Sequence, residues 1–329
     1  MLSQSLYRDI ILRAWNTTRN NVHFWILGFL AAFLGNGGEL EFILTQFNRL
    51  STGTLEISEG LISAFGTGGS NIIRLVSNLF APVHDNLPLI ILLGVILFAL
   101  VWLAVSAQGA IIRAIALSGG MDRTDLSEHF FKGSSSFFSL LAIILTTRLG
   151  AFFAFAVIGI PIGALMMYFL DPWVAGVLAF FIVGVPFLII ASLISKYAIA
   201  YHMLDRKSWK SSIIHALQLF ADNWLISIEL AIIVFIINIL AGAVIILLIV
   251  LFSVPFILLA SFLQDNYQNI TITLLWVGEI VAFVALLLFG SILATFQYAC
   301  WTELFLKIRK HGHLSKIMRI VLSVRDKYR

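Results

Sequence analysis

The sequence predicts an all-α polytopic membrane bundle: six transmembrane helices arranged as three hairpins, each preceded by an amphipathic helix lying in the interface. Three observations lead there. Four apolar runs, 137–170, 173–204, 224–263 and 271–305, each exceed the roughly 20 helical residues that cross a hydrocarbon core of about 30 Å. A fifth run, 87–117, is equally clear, and a sixth, 22–35, is short. The chain is 60% hydrophobic and 12% charged, with a mean hydropathy of +1.00; soluble domains sit near 45–50% apolar and about 25% charged. Finally, the bases are sorted by side. With the first residues inside, the inner segments hold 18 of the 21 Lys and Arg. Arg49 and Arg74 fall outside and Arg148 falls within a span. Cations favour cytoplasmic loops, so six crossings with both termini cytoplasmic satisfy the sorting.

The first element is an interfacial helix within residues 1–21. Leu6, Ile10, Ile11, Ala14 and Trp15 form an apolar face, with Arg8, Asp9 and Arg13 off it. This mixed stretch lacks the charged stub and apolar stretch of a cleavable leader, so the first span is expected to be retained as an anchor.

Hairpin 1 occupies 22–117. Gly35, Asn36, Gly37 and Gly38 end its short first span, and an outer insertion, 36–86, precedes the return helix at 87. The insertion carries five acids against two bases, which suits the outer side.

Hairpin 2 occupies 126–204. Its opening helix, 126–136, has Leu126, Phe130 and Phe131 as apolar positions, and Asp125 and Glu128 have the spacing of an N-cap and its reciprocal partner. Residues 137–170 would span about 50 Å as one straight helix, so a break is expected near Gly159, Ile160 and Pro161. Pro186 interrupts the return run.

Hairpin 3 occupies 208–305. Trp209, Ile213, Leu217 and Phe220 form the apolar face of its opener, and a break is expected near Pro255. The remainder, 306–329, reads as a basic amphipathic cytoplasmic tail, with eight bases between Lys307 and Arg329. Such a tail binds anionic lipid of the inner leaflet. Nucleic acid is not expected as a partner.

The three openers align without gaps. Ala14, His129 and Ala216 correspond, as do Asn21, Ser136 and Asn223 seven residues later. On the return helices, Gln108, Lys196 and Gln297 correspond, each followed two residues later by alanine. This regularity predicts a threefold internal repeat.

Charges inside spans are costly and are functional candidates by default. Arg148 lies about 18 Å from the inner face and Glu279 about 12 Å from the outer face at the helical rise. These depths coincide in a core of about 30 Å, so the two are expected to face each other. Near the inner face, Lys196 and Glu229 match in depth, and Gln108, Lys196 and Gln297 are expected to converge on one level as a cytoplasm-facing vestibule. Their alternative role is to snorkel to water.

No catalytic residue, cofactor or metal site is expected. The chain lacks a Walker phosphate loop, a G-x-S-x-G elbow and an H-E-x-x-H pair. His311 and His313 alone make no metal cluster, and the single Cys300 forms no intramolecular disulfide.

Three segments carry a resemblance: His215 to Trp224 (HALQLFADNW), Arg13 to Asn20 (RAWNTTRN) and Phe24 to Gly28 (FWILG). With these, the whole chain resembles a group of bacterial six-span integral membrane proteins that includes the membrane domain of some glycerophosphodiester phosphodiesterases and YciC-like relatives. The resemblance implies a bacterial cytoplasmic membrane and carries over no catalytic residue. The expected function is therefore non-enzymatic, a scaffold or a lipid- or amphiphile-handling bundle. The alternative is a secondary transporter or channel lined by Arg148, Glu229, Glu279 and Lys196.

Overall fold

The apolar runs fold as helices, and no strand occurs among the residues described by the computed structural model, which are 6–32, 87–118, 126–263 and 268–310. In chain order these are α1 (Leu6–Asn20), α2 (Phe24–Ala32), α3 (Leu87–Leu117), α4 (Leu126–Ser135) and α5 (Phe137–Met166). Then come α6 (Pro172–Ala179), a π-helical turn (Phe180–Gly184), α7 (Val185–Asp205), α8 (Trp209–Asp222), α9 (Trp224–Leu263) and α10 (Gln268–Lys310). Five helical stretches are long and apolar enough to cross a membrane: Pro88–Leu117, Phe137–Met166, Val174–Asp205, Trp224–Leu263 and Ile270–Arg309. The protein is thus a helical membrane protein. The insertion 36–86, Asp125 and the tail from His311 onward lie outside the described residues.

The junctions between amphipathic and apolar helices are set by local hydrogen bonds. The Asn21 side chain donates to the Thr17 carbonyl at 2.9 Å, and Asn223 repeats the bond to the Leu219 carbonyl at 3.1 Å. In each case the side chain shares with its own backbone N–H a carbonyl of the last turn, where the helix ends. Ser136 marks the third junction, its backbone N–H donating to the Gly133 carbonyl. The α8 N-terminus is capped by Ser208, whose hydroxyl accepts from the Ser211 N–H.

Two expected breaks are absent. Pro161 lies inside a continuous α5 and Pro255 inside a continuous α9. A proline frees one carbonyl, whereas a break frees several, and hydrocarbon offers those groups no water. Pro186 does act, just behind the π-helical turn, where the Val185 N–H reaches back five residues to the Phe180 carbonyl. Widening that turn is the way a helix absorbs a residue that cannot donate. The 40 residues of α9 would measure about 60 Å, twice a typical core, so α9 must tilt strongly or extend past it. The last span also runs further than expected, continuing through residues 306–310 as part of α10.

Three helices, α3, α7 and α10, pack on one another at the centre. Each also pairs with an apolar helix that precedes it: α3 with α2, α7 with α5, and α10 with α9. Each carries one amphipathic helix as well: α4 sits on α3, α8 on α7 and α1 on α10. The first amphipathic helix therefore docks on the last apolar one, and the order closes on itself. The corresponding residues Ala110, Ala198 and Ala299 are all fully buried on the three central helices.

Small residues make these contacts close. A Cβ on Gly133 would strike the Ser106 carbonyl and crowd Ala110, so α4 lies nearly backbone to backbone on α3. A Cβ on Gly28 would strike Thr295 and the Ser291 carbonyl, bringing α2 equally near α10. Without a hydrophobic drive between helices in lipid, such close packing and interhelical bonds supply the association.

Candidate functional site

Polar side chains gather where the amphipathic helices meet the central three. Tyr7 donates its hydroxyl hydrogen to the Glu229 carboxylate, joining α1 to α9. Lys307 of α10 donates to Asp9, and Arg13 donates to the same carboxylate at 3.2 Å. These bonds, the Lys307 hydrogen bond first, hold the Asp9 carboxyl below its usual value of 3.8. Glu303, one turn back on α10, shares the electrostatic neighbourhood of Asp9, Arg13 and Lys307.

A second knot ties the ends of α7 and α10. Arg309 lies 2.7 Å from Asp205. The chain then turns at Arg206, whose φ of 54° puts a non-glycine residue in the left-handed region. His202 Nδ1 holds that turn by donating to the Lys207 carbonyl at 2.6 Å, and the Lys207 ammonium lies 4.8 Å from the Tyr201 ring centre.

The expected site residues divide among different partners. Gln108 donates to the Ala31 carbonyl of α2 at 3.5 Å. Gln297 donates to Asn238 of α9 at 2.6 Å. Lys196 places its ammonium 5.0 Å from the Trp301 ring centre on α10. The three occupy corresponding positions of the central helices, but each is directed to a different neighbour, so they do not meet as one vestibule.

Arg148 and Glu279 do not face each other. Arg148 is half-buried on α5, is itself engaged in an interaction, and forms no ion pair with Glu279. Among the described helices, α5 packs on α3, α6, α7 and α8, whereas α10 packs on α1, α2, α3, α7 and α9. Matching depth along two helices does not decide whether those helices are neighbours in the bundle. Glu279 instead borders an open groove of ≈ 460 Å³ between α9 and α10, with Ser253, Trp276 and Phe283.

Several contacts went unread in the sequence. Asn238 carried a signal, being an isolated amide in a 40-residue apolar helix. Tyr7 and Asp9 carried none, since their partners lie 222 and 298 positions away. Tyr197 likewise bonds Ser227 at 2.8 Å; because Ser227 gives its own hydrogen to the Asn223 carbonyl, the tyrosine is the donor.

The amphipathic helices bury small residues together with part of the apolar stripe read in the sequence. On α1 the buried residues are Tyr7, Ile10, Ala14 and Thr18; on α4 they are His129 and Gly133; on α8 they are Ser212 and Ala216. Some large apolar side chains are exposed, Trp15 47%, Phe131 72% and Leu217 46%, whereas Ile10 is buried and Phe130, Trp209, Ile213 and Phe220 pack against the core. Small residues allow the close approach to the central helices, and the exposed Phe131 and Leu217 face away from them.

Comparison with protein-family models, with curated proteins and with solved structures found no match for this chain.

Proposed function

We propose that the chain is a non-enzymatic membrane scaffold that crosses six times and uses α1, α4 and α8 as a collar engaging the anionic lipid of one leaflet. The observation that carries this reading is the split face of the collar helices. Small residues lie against the central helices, and on α1 and α8 the exposed surfaces combine bulky apolar side chains with bases. On α1, Leu12 and Trp15 accompany the exposed Arg8, Arg13 and Arg19; on α8, Ile214 and Leu217 accompany Lys210. A helix of this kind lies at the boundary between headgroups and acyl chains, its bases near phosphates.

In this reading α2 opens the sixth crossing. The bases at the collar end put α1 and the end of α10 on the cytoplasmic side by the positive-inside rule. A bacterial cytoplasmic membrane is the setting that the resemblance of residues 13–20, 24–28 and 215–224 implies. Transport along a path through Arg148, Lys196, Glu229 and Glu279 is less well supported, because these four sit on α5, α7, α9 and α10 and Glu279 borders an open groove of its own.

The test is lipid selection by the purified full chain in nanodiscs of mixed phosphatidylglycerol and phosphatidylcholine. The expected result is enrichment of the anionic lipid in the layer retained with the protein. Replacing Arg8, Arg13, Arg19 and Lys210 with Gln should reduce that enrichment, as should salt, at about 1 kcal/mol per base near the surface. Equal retention of both lipids by the unmodified chain contradicts the proposal.

A further inference from the structure

The groove at Glu279 lies far from the collar. Glu279 lies about 24 Å along α10 from Thr295, which donates to the Phe24 carbonyl of α2. That places the carboxylate within a core of about 30 Å, toward its other edge. Glu279 is exposed into the groove, and among the described residues none bonds or pairs with it. A carboxylate held at that depth calls for a partner.

The rest of the lining defines that partner. Trp276 and Phe283 stand one turn to either side of Glu279 on the same helix. Aromatic faces attract cations, most strongly where water is scarce. The remaining wall is apolar, with Ile249 and Leu286, and Ser253 is the other polar group. Among the described residues, no base lines the groove. An anion would be repelled. A zwitterionic lipid would bring a phosphate that finds no cation. An apolar body with one positive charge satisfies every wall.

The geometry points to a binding site for a lipophilic monocation in the α9–α10 groove, with Glu279 as counter-ion and Trp276 and Phe283 as aromatic flanks. The site rests on α9 and α10 lying in the membrane and does not depend on the collar. The groove is open, and the ligand enters from the surrounding lipid, apolar body first, and its charge comes to rest beside the carboxylate.

The experiment is equilibrium dialysis of radiolabelled tetraphenylphosphonium against the full chain in phosphatidylcholine nanodiscs. The expected result is saturable binding at one site per chain, displaced by dodecyltrimethylammonium and not by dodecylphosphocholine. Glu279→Gln should weaken it by about tenfold or more, the size of one lost charge-assisted contact, while Glu279→Asp should retain most of it. Absence of saturable binding, equal binding by Glu279→Gln, or equal displacement by dodecylphosphocholine would each overturn the inference. The displacement arm uses the unmodified chain, so it stands whatever the variant does to folding. The collar test measures different residues at the opposite end, so either idea fails without the other.

Discussion

Asp9 on α1 accepts a hydrogen bond from Lys307 on α10, 298 positions later in the chain. With Tyr7 on Glu229 and the Trp15 ring 6.2 Å from that of Phe296, this pair fastens the first helix onto the last. The bundle is closed by that contact, as α4 closes on α3 and α8 on α7.

Acid should loosen this closure. The carboxyl of Asp9 is held below 3.8 chiefly by Lys307, so its contribution is fully present above that value and is lost as pH falls through the lowered value. Asp9→Asn should remove this acid sensitivity and raise amide exchange in α1 at neutral pH, at a cost of about 0.2–1 kcal/mol for a partly exposed pair. Hydrogen exchange of α1 from pH 7 to pH 3 checks it. An unchanged acid response in Asp9→Asn would assign the sensitivity elsewhere.

Enlarging the small contact residues should push helices apart. Gly133→Leu places a side chain against the Ser106 carbonyl and Ala110 and should cost about 1–3 kcal/mol or more, read as a lower unfolding midpoint in detergent. Gly150→Leu is the control, because a Cβ there meets nothing within 4 Å and should change little.

The bond from Gln297 to Asn238 should be worth a modest amount. A double-mutant cycle with Gln297→Leu and Asn238→Leu is expected to give a coupling of about 0.6–2 kcal/mol, the range of interhelical bonds in membranes. A coupling near zero would mean that the amides are not bonded in the bilayer.

Arg148 and Glu279 give the opposite expectation. The double substitution Arg148→Leu and Glu279→Leu should show the sum of the single effects to within about 0.5 kcal/mol, since their helices are not packed together. A coupling above that would restore the pair that depth alone suggests.

Much of the layout was legible because hydrocarbon imposes long, simple patterns. Residues 126–136 read as one amphipathic helix, and α4 covers Leu126–Ser135. Asn21 and Asn223 lie at true helix ends, each amide folded back onto a carbonyl of the last turn. The apolar stripes read as interfacial faces, and Trp15, Phe131 and Leu217 are exposed on them. In water a bulky apolar stripe turns inward; beside lipid it is equally content outside, and small residues such as Ala14, Gly133 and Ala216 mark the contact. The partner of Arg148 was misread. Depth follows from helical rise along one chain segment, whereas neighbourhood depends on how separate helices are arranged, which no local pattern encodes.

The most direct measurement of the account is the sidedness of the collar. In a Cys300→Ser background, single cysteines at Arg13, Lys132, Lys210 and Arg309, and at Asp171 between α5 and α6, are labelled in sealed vesicles with a membrane-impermeant maleimide. The account predicts that the first four react from one face and Asp171 from the other. Reaction of Arg13→Cys and Arg309→Cys from opposite faces would contradict it.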